Sequence, residues 1–122
     1  MSKPFSITAR LRSIKHAWAG LGTMLADEHN ARVHLAATVL VMILGAVLNI
    51  DVMEWLILII VIALVWITEA LNTALENLAD HVSPGHDVLI GKCKDVAAAA
   101  VLMASICALV CGAIIFIPRL LW

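Results

Sequence analysis

The chain has 122 residues, of which 63% are apolar and only 14% charged, and its mean hydropathy is +1.03. That profile belongs to an integral membrane protein rather than to an ordinary soluble domain. A net charge of −1 leaves no basic stripe to neutralise a phosphate backbone, which excludes a nucleic-acid partner.

The segment before the first apolar stretch carries Lys3, Arg10, Arg12, Lys15 and Arg32. It lacks the apolar core and small-residue cleavage site of a signal peptide, so it is expected to stay on the mature protein. Ile7, Leu11, Ile14, Trp18, Leu21 and Leu25 recur at helical spacing beside the basic residues. This predicts an amphipathic helix over about 6–28, lying on a membrane surface; a solvated basic leader is the alternative.

Three apolar stretches follow. Residues 33–50 hold no Asp, Glu, Lys or Arg; residues 55–68 are equally clean and continue as a helical pattern to Asp80; residues 96–118 carry no formal charge. A spanning helix needs about 20 mostly apolar residues. The expected fold is therefore an all-α membrane protein, a single domain over 1–122, with transmembrane helices at about 31–50, 54–81 and 92–118.

Of the eight Lys and Arg residues, five precede the first span, Lys92 and Lys94 lie between the second and third, and Arg119 alone remains for the other side. The excess of positive charge on cytoplasmic segments then places the N-terminus and the 81–95 connection in the cytoplasm, with 49–54 and the C-terminus outside. Trp55 and Trp122 are expected at the outer interface and Trp18 at the inner one, while Trp66 falls mid-span as a packing residue.

Cys93, Cys107 and Cys111 are an odd number on a cytoplasmic loop and within a span, which argues against a disulfide framework and for polarizable packing residues. Ala100, Ala104, Ala108 and Gly112 form a small-residue stripe on the last helix that lets another helix approach closely. Three thin helices cannot easily enclose a polar site, so a homo-oligomer with sites between subunits is expected.

The polar residues of the second span are the chemical signal. Glu69, Asn72, Glu76 and Asp80 project at about 0°, 300°, 340° and 20° on a helix, a single narrow face. An ionisable residue at membrane depth is costly and marks a functional site by default. Asp80 can reach the headgroups while Glu69, about 16 Å along the axis, lies well inside the hydrocarbon boundary.

On the same cytoplasmic side, Asp27, Glu28, His29, Asn30 and Arg32 before the first span, and His86, Asp87, Lys92, Lys94 and Asp95 before the third, reach the same level. Two carboxylates from different helices, such as Glu28 and Glu76, suit Mg²⁺, which is commonly held by one or two carboxylates plus substrate phosphates. Lysine supplies a point charge for a phosphate, and burial makes Glu69 a plausible general base. Together these parts suit phosphoryl transfer at a membrane surface.

The G-x-x-x-x-G-K-[ST], G-x-G-x-x-G and H-R-D signatures of soluble kinases are absent from the sequence. Singly, each residue also admits a structural role: Asn72 bonding between helices, Asp27 and Glu28 capping a helix, Lys94–Asp95 forming a solvated turn. The shared face and shared depth favour function.

Two segments, Glu69-Ala-Leu-Asn72-Thr-Ala-Leu-Glu76-Asn-Leu-Ala-Asp80 and Lys92-Cys-Lys94-Asp95-Val-Ala-Ala-Ala-Ala-Val101-Leu102, resemble the two signatures of the small prokaryotic diacylglycerol kinase and undecaprenol kinase family. The similarity runs roughly from Arg10 to Pro118. It implies a homotrimer of three-helix subunits with N-terminal surface helices, in the bacterial inner membrane, using Mg-ATP to phosphorylate a lipid hydroxyl.

Carried over by position, the resemblance makes Glu69 the catalytic base that takes the lipid hydroxyl proton, with Asn72 as its positioning partner. Glu28 and Glu76 become the metal ligands. Lys94 and Asp95, with Gly85, His86 and Asp87, become nucleotide contacts supported by Asp80. Arg10, Trp18 and Arg32 border the ATP and lipid entrances. The 28–34 stretch, Glu54-Trp55-Leu56 and 114–118 look closer to the undecaprenol kinase branch. His16 stands where the enterobacterial diacylglycerol kinases carry a tyrosine and His34 where they carry an acidic residue, so the acceptor, diacylglycerol or undecaprenol, is left open. The competing reading is a small proton-coupled transporter using Glu69; a non-enzymatic assembly factor would have no reason to converge carboxylates at helix ends.

Overall fold

A computed structural model describes residues 2–122 as four helices: α1 Ile7–Asp27, α2 His29–Val47, α3 Val52–Val82 and α4 Val88–Leu121. The last three are each long and apolar enough to cross a membrane. The protein is a multi-pass membrane protein built from helices alone among its described residues.

Each helix end is set by local chemistry. The Ser6 hydroxyl accepts from the Ala9 N–H to start α1. Glu28 alone separates α1 from α2, with extended backbone at φ −103° and ψ 119°. Arg32 turns back over that break: its Nε donates to the Leu25 carbonyl at 2.9 Å and its Nη2 to the Ala26 carbonyl, occupying groups that a helix C-terminus leaves without partners.

The α2–α3 turn is a Schellman motif. Asn49 takes the left-handed conformation at φ 56°, a role that asparagine fills more readily than other side-chain-bearing residues. The Ile50 N–H reaches the Gly45 carbonyl and the Asn49 N–H the Ala46 carbonyl. Asp51 then opens α3 with a capping box, its carboxylate accepting from the Glu54 N–H while the Glu54 carboxylate accepts from the Asp51 N–H.

The apolar core sits at this turn: Ile50, Leu58, Ile115 and Phe116, with Val41, Leu44, Leu48, Trp55 and Ile62 packed around them. Gly45 lies in the tightest spot. A Cβ there would stand 2.8 Å from the Trp55 ring and 3.1 Å from Ile50. Gly45→Ala should therefore destabilise the fold by about 1–3 kcal/mol through overpacking, seen as earlier loss of helical circular dichroism on heating in detergent. An unchanged melt would mean that the indole swings aside at no cost.

Ion pairs fasten α3 to α4 at both ends. Arg119 Nη1 donates to Glu54 Oε1 at 2.6 Å near the core, and Lys94 Nζ to Asp80 Oδ1 at 2.7 Å at the other end. Large apolar side chains along the outer faces, among them Leu40, Ile43, Ile60, Ile67, Leu109 and Ile114, are exposed in the single chain. Lipid or further protein can cover them without loss of any polar contact.

Candidate functional site

The face of α3 that packs inward carries Leu58, Val61 and Val65, and the same stripe continues as Glu69, Asn72 and Thr73. Helical periodicity alone brings the carboxylate row from the core into the interior of the bundle. Glu69 is 1% exposed and is the largest fully buried side chain among the described residues.

A groove of about 340 Å³ opens over this stripe, lined by Glu69, Asn72 and Glu76 of α3, Asn30 and His34 of α2, and small or apolar residues of α4. Ala98 and Ser105 keep the α4 wall thin, and Glu76 is half-buried beside it. Asp80 and Lys94 form their ion pair beyond Glu76, at the end of the row.

Two rungs join α2 to α3 here. Trp66 Nε1 donates to Thr38 Oγ1 at 3.0 Å, and the Thr38 hydroxyl in turn donates to the His34 carbonyl at 2.7 Å. One turn along each helix, His34 Nε2 stands 3.3 Å from Glu69 Oε2. Because 34 and 38, like 66 and 69, share a helix face, the first rung fixes the height at which the second is made.

Within the groove the polar atoms are under-satisfied. Glu69 Oε2 and Asn72 Oδ1 in the groove, and Thr73 Oγ1 on the α1 side of α3, are buried with no aligned hydrogen bond. Burying polar oxygens without partners costs free energy, and such atoms in a native fold are met by water, a ligand, a neighbouring subunit or a reacting group. The two carboxylates of the groove, Glu69 and Glu76, with the Asn72 amide oxygen are hard donors that fit a cation bound together with phosphate oxygens. The described residues do not gather three His, Cys, Asp or Glu side chains around one point, so water, phosphate or a neighbouring subunit would complete any metal shell.

The remaining candidates are dispersed. Glu28 is the single-residue break between α1 and α2 and does not line the groove. Arg32 is engaged with the end of α1. Asp87 caps α4, its Oδ1 accepting from the Leu89 and Ile90 N–H groups, while Gly85 and His86 are exposed in the connection before it. Asp95 is exposed on α4. Arg10 lies over the Phe5 ring at 5.8 Å on α1, away from the row. Trp18 is exposed and lines an apolar hollow with Leu21, Gly22, Leu25 and Trp66.

Sequence reasoning gave His34 no place in the site, although it is the sole ionisable residue beyond Arg32 in an otherwise apolar helix, which was the available signal. Ser105, a lone hydroxyl among the alanines of α4, was missed for the same reason.

The family model for prokaryotic diacylglycerol kinase matches residues 15–116. The chain is 33% identical over 109 residues to the undecaprenol kinase of Bacillus subtilis (strain 168), covering 89% of each chain. It is 37% identical over 112 residues to the diacylglycerol kinase of Synechocystis sp., covering 91% of this chain and 64% of that one. Against the diacylglycerol kinase of Escherichia coli (strain K12) it is 31% identical over 103 residues, 84% of each.

Proposed function

The chain belongs to the prokaryotic diacylglycerol kinase family and is a lipid kinase, and on that premise we propose that it transfers the γ-phosphoryl group of Mg-ATP to a membrane lipid hydroxyl at the cytoplasmic interface. The observation that carries this reading is the groove in which buried Glu69 stands beside Asn72 and Glu76. Family membership also removes the transporter reading.

Glu69 is the general base. It takes the proton of the lipid hydroxyl as that oxygen bonds to the γ-phosphorus, while the bond from phosphorus to the β,γ-bridging oxygen breaks and ADP leaves. Its burial excludes water, which would otherwise compete as acceptor. Asn72, on the same wall, orients the carboxylate or the hydroxyl through its amide. Glu76 and Glu28 would hold Mg²⁺, which neutralises phosphate charge when bound. Lys94 supplies a point charge to the nucleotide with Asp80 holding its ammonium in place, and Asp95, Gly85, His86 and Asp87 contact the nucleotide from the same end.

Glu28 is absent from the groove of the single chain, and the exposed apolar helix faces need cover. The first feature supports sites completed between subunits, in the homotrimer that the family resemblance implies; the second is met by lipid as well as by protein. On the same reading α1 lies along the cytoplasmic surface of the bacterial inner membrane, and Arg10, Trp18 and Arg32 flank the routes by which ATP and lipid enter.

The test is direct. Purified protein in mixed micelles, given Mg-ATP labelled on the γ-phosphate and either diacylglycerol or undecaprenol, is expected to label one lipid well above the other and to stop when EDTA is added. The faster acceptor names the branch. Folded protein that labels neither lipid would overturn the assignment.

A further inference from the structure

His34 has no part in the scheme above, yet it is the one basic side chain lining the groove, and its Nε2 is 3.3 Å from Glu69 Oε2. The other titratable group on the walls is Glu76; α4 contributes Ala98, Val101, Leu102 and Ser105, and Lys94 beyond them is paired with Asp80. The His34 side chain is itself only 19% exposed. A buried carboxylate is stable only with a partner, and this imidazole is the partner nearest to hand.

The imidazole is also held from behind. The Trp66–Thr38–His34 carbonyl relay anchors the α2 backbone at His34 to α3, so the ring's height relative to Glu69 is set by α3 itself. The N–H is not aligned on Oε2 as a hydrogen bond, a looseness that catalytic pairs often show before substrate draws them together. His34 and Ser105 are shared with a second, mainly apolar groove of about 320 Å³ that descends between α2, α3 and α4. The ring thus stands at the threshold between apolar and polar space, beside the reacting carboxylate.

We infer that His34 is a positioning residue for Glu69: its Nε2–H holds Oε2 so that the other carboxylate oxygen faces the acceptor hydroxyl. The inference rests on Glu69 being the base. A base fixed through one oxygen presents the second in a single direction, and loss of that constraint lowers the fraction of bound substrate in reactive geometry without weakening its binding.

The experiment compares wild type, His34→Ala and His34→Gln in the mixed-micelle assay, with KM for Mg-ATP and for the lipid measured separately from kcat. His34→Ala is expected to lose about 10²-fold in kcat with both KM values little changed. His34→Gln, whose amide N–H reaches nearly as far as Nε2, is expected to recover most of that loss. An unchanged kcat in His34→Ala overturns the inference, as does a raised lipid KM at unchanged kcat, which would make His34 a substrate contact. Should His34→Ala fail to fold by circular dichroism and gel filtration, His34→Leu takes its place, and a folded, fully active His34→Leu is equally fatal. Inactive wild type would instead strike the kinase reading itself.

Discussion

Glu69→Gln is expected to reduce turnover by about 10²–10⁴-fold, the range for removal of a general base, while Mg-ATP binding and the fold survive. Glutamine has the same length and shape, so the inner stripe of α3 keeps its packing. What it lacks is a lone pair basic enough to accept the hydroxyl proton. The fold should not suffer, because a neutral amide costs less to bury than a carboxylate and the imidazole of His34 can still donate to its oxygen. Single-turnover phosphorylation with nucleotide binding measured in parallel checks this. Activity within a few-fold of wild type would show that another group takes the proton, and an unfolded variant would make Glu69 structural.

Glu76→Gln should act on the nucleotide side. Glu76 lies two turns from Glu69 on the same face, about 10 Å along the axis, half-buried in the groove wall and next toward the Asp80–Lys94 pair. In the proposed metal site, removing its charge takes away one hard ligand. The Mg-ATP KM should rise by about tenfold, or ~1.4 kcal/mol, and the Mg²⁺ concentration needed for half-maximal rate should rise with it, while the lipid KM holds. A titration of rate against Mg²⁺ at fixed ATP reads this, and a variant indistinguishable from wild type would remove Glu76 from the metal site.

Much of this architecture is visible in the residues. Three long apolar segments leave a helical membrane protein as the only economical fold, since each backbone polar group must be satisfied within its own segment. The row from Glu69 to Glu76 is legible because period and polarity coincide: a carboxylate, an amide and a carboxylate on one face of an apolar helix have no solvent to serve. His34 was harder to place. The α2 helix is apolar nearly all round, so nothing in its pattern says which face meets α3, and that face is chosen by the Thr38–Trp66 bond and by the close approach at Gly45. Arg32 and Asp87 look from sequence like charges free for a ligand; in the fold they also tie off helix ends, a second use of the same polar groups that composition does not reveal.

The two ion pairs between α3 and α4 have a mechanical meaning. Along α3, the rise from Glu54 to Asp80 is about 39 Å, against about 30 Å for the hydrocarbon of a typical bilayer. Each fastening therefore belongs among the headgroups, one per leaflet, and together they stop the hairpin from slipping in register. Its length is a ruler. Where the bilayer is thinner or thicker, the lipid must stretch, compress or let the hairpin tilt, while Glu69 keeps its distance of about 16 Å from the Asp80 end. With Glu69 as the proposed base, the depth at which a lipid alcohol must present its oxygen is thus dictated by protein, and every acceptor has to sink to that level whatever the thickness of the membrane it came from.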